Sequence, residues 1–254
     1  MTELTISARF NGPARSGNGG YVAGALAELV PEHPALVEVT LRQPPPLDVA
    51  MSVAADDDAV AMTLGGALIA SARGVDRPIA PVEAVSTADA KEAMAAYAGL
   101  RAHPFPTCFG CGPERAEGDG LRIFPGPVGR PLSGVPVGVG GRVASQWTPH
   151  PHFATSSDLI DHGVQRVGVG VAWAALDCTG GWAADLEGRA MVLGRMTAGV
   201  DALPVIGEPH VVVGQQLGSD GRKTFTASTV YDSDGRIVAR AEHTWIEVDP
   251  AAFN

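Results

Sequence analysis

In the sequence of 254 residues, the same order of predicted elements occurs twice: a helix followed by several short strands. The first helix is predicted from about Tyr21 to Val30, where Pro31 ends it, and the second around Val171 to Trp182. Apolar or alternating runs, separated by Pro, Asp and Gly, follow each helix and predict antiparallel strands. These runs are Leu36 to Leu41, Ala50 to Ala55, Ala59 to Leu64 and Ala67 to Arg73, then Ala190 to Val200, His210 to Gln216, Lys223 to Tyr231 and Ile237 to Glu247.

The best internal match lies in the last hairpin of each half. Gly66 to Ala72 aligns with Gly235 to Ala241, and Asp234-Gly235 is a strong hairpin turn signal. A sheet crossed by a single apolar helix needs a second unit to cover it, and the repeat supplies that unit in the same chain. The sequence therefore predicts an α+β fold of two tandem domains, 1–102 and 103–254, that form an intramolecular pseudo-dimer.

Two segments outside the repeats have their own composition. The linker from Val75 to Thr107 begins as a loop and is predicted to be helical over Ala88 to Leu100. The stretch from Pro125 to Gly141 contains too many Pro and Gly residues for a regular element. A loop is therefore predicted there.

The composition excludes several classes of partner. The net charge is −10, so no basic stripe exists that would bind nucleic acid or an anionic membrane. No apolar run reaches the length of a membrane-spanning helix, and the N-terminus lacks a signal-peptide pattern. With three cysteines, an odd number, a disulfide framework is not expected. We expect a cytoplasmic protein, and the low charged fraction of 18% is compatible with a homodimer.

Asp177 is the most informative single residue, because it is the one charge in the small-residue helix around Val171 to Trp182. Upstream, Cys108-Phe-Gly-Cys-Gly-Pro113 is followed by Gly120-Leu-Arg-Ile-Phe124. Together these segments resemble the hotdog-fold thioesterases, and in particular the double-hotdog acyl-CoA thioesterase II type. The resemblance implies two tandem hotdog domains, each an antiparallel sheet wrapped around a central helix. It also implies cleavage of acyl-CoA, or a related acyl thioester, to free acid and thiol without a cofactor.

The same resemblance suggests which residues act. An acid on the central helix serves as base or nucleophile in that family, and Asp177 matches it, whereas the first copy has Ala27 at that position. The first copy keeps Asn18-Gly19-Gly20-Tyr21 at a helix N-terminus, where free amides and the helix dipole favour an anion. Asp177 is therefore expected to face the amides of Gly19 to Tyr21, which would form an oxyanion hole. The alternative is a tight turn with Asn18 as a helix cap.

Four further positions are weaker candidates. His243 lies near the place where the family has a glutamine that orients water, and Glu242 is its neighbour; strand alternation lets only one of them face the helix. Gly180 and Gly181 are predicted either to let a pantetheine arm approach the backbone or to end the helix. The family's supporting hydroxyl residue has no counterpart in Ala190 to Thr197.

Cys108 and Cys111 have the spacing of metal ligands, and the histidines His103, His150 or His152 could complete a set of four. A second ligand pair at firm spacing is missing, so no metal is predicted. The cysteines, Cys178 included, are expected to pack as small buried hydrophobes.

Several motifs of nucleotide-binding proteins and hydrolases are missing, which reduces the number of possible activities. The sequence has no phosphate loop, no Rossmann fingerprint and no Gly-x-Ser-x-Gly elbow. Besides the hydrolase, two hypotheses stay open: a non-catalytic protein that binds acyl thioesters, and an enoyl-thioester hydratase. The hydratase is disfavoured because such enzymes place a His five residues after the Asp, where this chain has Trp182.

Overall fold

The computed structural model describes residues 2–129, 141–155, 163–184, 186–249 and 251. In these ranges, eleven strands form a single antiparallel sheet that is accompanied by three α-helices. The helices are α1 (Gly19–Ala27), α2 (Thr87–Ala93) and α3 (Val169–Trp182). The strands are β1 (Thr2–Thr5), β2 (Val37–Leu41), β3 (Ala50–Asp56), β4 (Ala59–Leu64), β5 (Ala67–Gly74), β6 (Gly126–Val128), β7 (Arg142–Trp147), β8 (Met191–Val200), β9 (His210–Asp220), β10 (Lys223–Tyr231) and β11 (Ile237–Glu247).

The strand order confirms that two copies of one unit pair within the chain. The order is β1-β3-β4-β5-β2-β8-β11-β10-β9-β7-β6. At its centre, β2 and β8 are antiparallel neighbours, with Val37 opposite Ala198 and Thr40 opposite Arg195. Outward from this junction, β5-β4-β3-β1 on one side corresponds to β11-β10-β9-β7 on the other. The exact boundary at 102/103 stays a prediction.

The two long helices, α1 and α3, pack against each other on this sheet. Both are buried along most of their length, as expected for helices that are apolar or small-residue apart from Asp177. They approach closely where glycine faces glycine: a Cβ atom on Gly24 would lie 2.8 Å from the Cα atom of Gly170. This contact brings the N-terminus of α1 against the middle of α3.

Several element predictions need correction. The predicted loop Pro125 to Gly141 contains strand β6 at its start, paired with β7, while residues 130–140 lie outside the described ranges. The strands β1 and β7 were not predicted. The predicted helix Ala88 to Leu100 is α-helical only as far as Ala93 and continues as two three-residue 3-10 helices.

Gly180 and Gly181 do not end the second helix, because α3 continues through both residues to Trp182. Neither has the positive φ of a left-handed helix cap. Their small size serves packing instead: a Cβ atom on Gly180 would lie 2.7 Å from the Nδ1 atom of His243, and one on Gly181 2.8 Å from Leu186. Among the described residues, no helix is long and apolar enough to cross a membrane.

The close contact between α1 and α3 generates a stability prediction for Gly24→Ala. Alanine normally gains about 1 kcal/mol over glycine inside a helix. Here the added methyl group would lie 2.8 Å from backbone of Gly170 and from the Cβ atom of Trp173. Overpacking of this kind costs about 1–3 kcal/mol. We expect the overpacking to outweigh the gain in helix propensity, with a net loss of up to about 2 kcal/mol in the free energy of unfolding, measured by urea denaturation.

The matched control is Gly218→Ala in β9, where a Cβ atom would meet nothing within 4 Å. Its free energy of unfolding should change by less than about 0.5 kcal/mol. Equal effects of the two substitutions would show that the helix contact is not tightly packed.

Candidate active site

A cavity of about 230 Å³ lies where the two halves meet. Its wall is formed by the segment before α1, the end of β2, the middle of α3, and strands β8 and β11. Most lining side chains are apolar, including Leu41, Phe105, Leu186, Met191, Leu193, Trp245 and Ile246. The cavity is therefore suited to an apolar group with few polar anchors.

Asp177 lines this cavity from α3 and is 3% exposed. Its Oδ2 atom accepts a hydrogen bond from the amide of Gly20 (2.9 Å) and another from the Nδ2 atom of Asn18 (3.1 Å). Gly20 permits the approach because a Cβ atom there would lie 2.5 Å from the Cβ atom of Asp177. The acid of the second copy is thus held by the helix N-terminus of the first copy.

Burial raises the pKa of Asp177 to about 7, even though the hydrogen bonds from Gly20 and Asn18 act in the opposite direction. Its Oδ1 atom is buried and has no hydrogen-bond partner within the described residues. One carboxylate oxygen is therefore fixed by two hydrogen bonds, and the other is buried without a partner.

The amides at the start of α1 are used differently from the expected oxyanion hole. The amide of Gly20 donates to Asp177, and the amide of Tyr21 donates to the Oδ1 atom of its helix cap, Asn18 (2.8 Å). The ring of Tyr21 stacks on Phe10, with ring centroids 3.8 Å apart, and Tyr21 does not line the cavity. The half-buried Gly19 does line it, and its amide makes no hydrogen bond within the described residues. Gly19 thus supplies the available donor.

The other candidates on β11 and α3 lie away from the cavity lining. His243 faces α3, is 3% exposed, and has its Nδ1 atom 3.2 Å from the hydroxyl of Thr226. Glu242 points to the opposite face, where it forms an ion pair with Arg77 (2.6 Å). Of this pair, the histidine therefore faces the helix. Neither His243, Gly180 nor Gly181 lines the cavity.

Three thiols lie together in the cavity wall. Cys108, Cys111 and Cys178 are all buried, and their Sγ atoms lie within 4.8 Å of one another. The Nε2 atom of His103 is 3.3 Å from the Sγ atom of Cys111. Cys178 was not predicted to lie beside Cys108 and Cys111, although its position next to Asp177 in the sequence placed it at the candidate site. The other two candidate histidines, His150 and His152, contact each other beside Phe153, outside this cavity.

No protein-family model and no curated protein matches this chain. Solved structures do. A TesB protein from Mycobacterium avium subspecies paratuberculosis matches with a TM-score of 0.59 at 13% identity, covering 97% of this chain and 92% of that one. A hot dog fold protein of unknown function from Alicyclobacillus acidocaldarius matches with a TM-score of 0.58 at 12% identity, covering 98% and 93%. The chain has a double hotdog fold.

A third neighbour is the acyl-CoA thioesterase II TesB2 from Mycobacterium marinum, with a TM-score of 0.54 at 12% identity and coverage of 99% and 94%. At identities this low, the structural similarity establishes a shared fold but not a shared reaction.

His243 generates a prediction about stability and pH. Burial lowers its pKa from 6.5 to about 3. Between these values the unfolded chain binds more protons than the folded protein, so stability falls as the pH falls below 6.5. The free energy of unfolding should lose about 2 kcal/mol from this residue between pH 7 and pH 5.

The comparison is with His243→Asn, whose amide can keep the contact with Thr226 but does not titrate. Urea denaturation at both pH values should show a loss about 2 kcal/mol smaller in the variant, because the other titrating groups are common to both proteins. Identical losses would mean that His243 is protonated in the folded protein at pH 5.

Proposed function

We propose that this double hotdog protein hydrolyses acyl thioesters, with Asp177 as general base or nucleophile. The observation that carries the proposal is the buried carboxylate of Asp177, fixed through one oxygen by Gly20 and Asn18 and free at the other, in the wall of an apolar cavity. Acyl-CoA thioesterase II proteins among the structures of the same fold support it. The proposed substrate is acyl-CoA or a related acyl thioester.

The reaction follows from these positions. The carbonyl oxygen of the thioester accepts the hydrogen bond of the Gly19 amide, at the positive end of the α1 dipole. The Oδ1 atom of Asp177 takes a proton from water, whose oxygen attacks the carbonyl carbon. The tetrahedral intermediate then collapses, the carbon–sulphur bond breaks, and the proton passes to the leaving thiolate. In the alternative, Oδ1 attacks the carbonyl carbon directly, the carbon–sulphur bond breaks and the thiolate leaves, and water then hydrolyses the resulting anhydride to the free acid and the Asp177 carboxylate.

The mouth of the cavity suggests where a charged carrier would lie. Arg42 is exposed at the rim and forms no ion pair within the described residues. Coenzyme A carries phosphates, which a guanidinium group binds well. The apolar wall would then receive the acyl group while the phosphates stay at the surface.

The test of the catalytic assignment is Asp177→Asn. The asparagine oxygen can still accept the hydrogen bonds of Gly20 and Asn18, so the fold should be kept while the base is lost. General-base catalysis typically contributes about 10²–10⁴-fold, and we expect kcat/KM to fall by that factor. The assay is free-thiol release from a panel of short, medium, long and aromatic acyl-CoAs.

The control is Asp220→Asn, an exposed residue at the end of β9, which should leave kcat/KM unchanged. Turnover by wild type that survives in Asp177→Asn within about threefold would contradict the role of the carboxylate, since even the lower limit of such catalysis is about 10²-fold.

Arg42→Gln tests the placement of the carrier. An exposed ion pair contributes about 0.2–1 kcal/mol, so KM for acyl-CoA should rise about 1.4- to 5-fold. KM for the same acyl group on N-acetylcysteamine, which has no phosphate, should not change. Equal changes in KM for the two substrates would show that Arg42 does not bind the phosphates.

One observation favours a second candidate, a protein that binds acyl thioesters without turnover. The amides of Gly20 and Tyr21 are already hydrogen-bonded within the chain, and β8 presents only Met191, Val192, Leu193 and Gly194 to the cavity. Such a protein would gain thermal stability with acyl-CoA and release no thiol.

The homodimer also stays a prediction.

A further inference from the structure

We propose that Cys108, Cys111 and Cys178 bind one zinc ion whose fourth coordination position opens into the cavity beside Asp177. The three thiols belong to two distant parts of the chain. Cys108 and Cys111 lie in a turn, in which the amide of Gly112 donates to the carbonyl oxygen of Cys108 (2.8 Å), and Cys178 lies on α3. The fold therefore completes a ligand set that the two-cysteine motif lacks.

The spacing of the sulphur atoms fits tetrahedral zinc. A Zn–S bond of about 2.3 Å sets neighbouring sulphur atoms of a tetrahedron about 3.8 Å apart. The Sγ atoms of Cys108 and Cys178 are 3.7 Å apart, and all three Sγ atoms lie within 4.8 Å of one another. The turn can approach α3 this closely because residue 110 is glycine: a Cβ atom there would lie 2.7 Å from the Sγ atom of Cys178.

Nitrogen donors surround the sulphur atoms, as thiolate ligands require. The Nδ2 atom of Asn18 lies 3.7 Å from the Sγ atom of Cys108 and 3.8 Å from that of Cys178. The indole Nε1 atom of Trp182 is buried and meets no acceptor at hydrogen-bonding distance within the described residues, and the centroid of its ring lies 5.0 Å from that of His103. Donors of this kind stabilise metal-bound thiolates as outer-shell partners.

His103 is assigned to the outer shell as well. Its Nδ1 atom accepts the amide hydrogen of Phe105 (2.9 Å), so the neutral ring carries its proton on Nε2. That proton points to the Sγ atom of Cys111, 3.3 Å away, and leaves Nε2 without a lone pair for zinc. His103 is thus a hydrogen-bond donor to a ligand.

The fourth position is consequently left to a molecule from the cavity. All three cysteines and Asp177 line that cavity. Three protein ligands with one exchangeable position are the pattern of reactive zinc sites, whereas structural sites use four protein ligands. Binding releases one proton from each thiol to solvent and transfers no electron. The zinc claim stands without the thioesterase proposal, because zinc binding is measured without substrate.

The test measures metal in the full-length protein purified under reducing conditions and supplied with zinc. We expect one zinc ion per chain. After removal of zinc by a chelator, addition of Co²⁺ should produce a thiolate-to-cobalt charge-transfer band, and the three thiols should become unreactive toward a disulfide reagent. Cys178→Ser should lose the band at the metal concentration that saturates wild type.

His103→Gln is the matched variant. As an outer-shell change it should weaken metal binding about 10- to 100-fold while keeping one ion per chain and the charge-transfer band. Loss of the metal in this variant at saturating concentration would make His103 a ligand and overturn the open position. A wild type that binds neither zinc nor Co²⁺, with three reactive thiols, would overturn the site itself. This wild-type readout holds even if Cys178→Ser fails to fold.

Discussion

The hydrogen bonds from the first copy to Asp177 are the contact on which the site depends. A carboxylate that is 3% exposed is costly to bury unless polar partners hold it. Gly20 and Asn18 provide those partners from the N-terminus of α1. The same contact requires α1 and α3 to lie side by side, which glycines at positions 20 and 24 permit. Packing of the two copies and the chemistry of the site are therefore set by one arrangement.

Only one of the two possible sites in this pseudo-symmetric molecule carries an acid. The first copy has Ala27 at the position that matches Asp177, and Ala27 is buried among apolar residues. In the two proposed sites, α1 of the first copy contributes glycine amides, and α3 of the second copy contributes the carboxylate of Asp177 and the thiol of Cys178. The half that keeps its acid also has the cysteine turn, so the reactive groups of both proposals line a single cavity.

Much of the fold could be predicted because its signals are local. Alternating runs bounded by Gly, Asp and Pro located β2 to β5 and β8 to β11, and the repeat predicted that two units pair within the chain. Strand β6 was missed because Gly126 and Pro127 do not form an alternating pattern. At the site, the position of Asp177 followed from a resemblance, and Asn18 as a helix cap was one of the two alternatives predicted from the sequence. The meeting of Cys178 with Cys108 and Cys111 needed packing, because the three cysteines belong to distant parts of the chain.

A crystal structure with an acyl-CoA analogue in which a methylene group replaces the thioester sulphur would locate the reacting carbonyl group in the cavity. This ketone keeps the carbonyl group but has no thioester bond to hydrolyse. The proposed reaction requires its oxygen within hydrogen-bonding distance of the Gly19 amide, its carbonyl carbon facing the Oδ1 atom of Asp177, and its acyl chain against Leu193 and Trp245. A ligand bound elsewhere, with Asp177 contacting only Gly20 and Asn18, would contradict it.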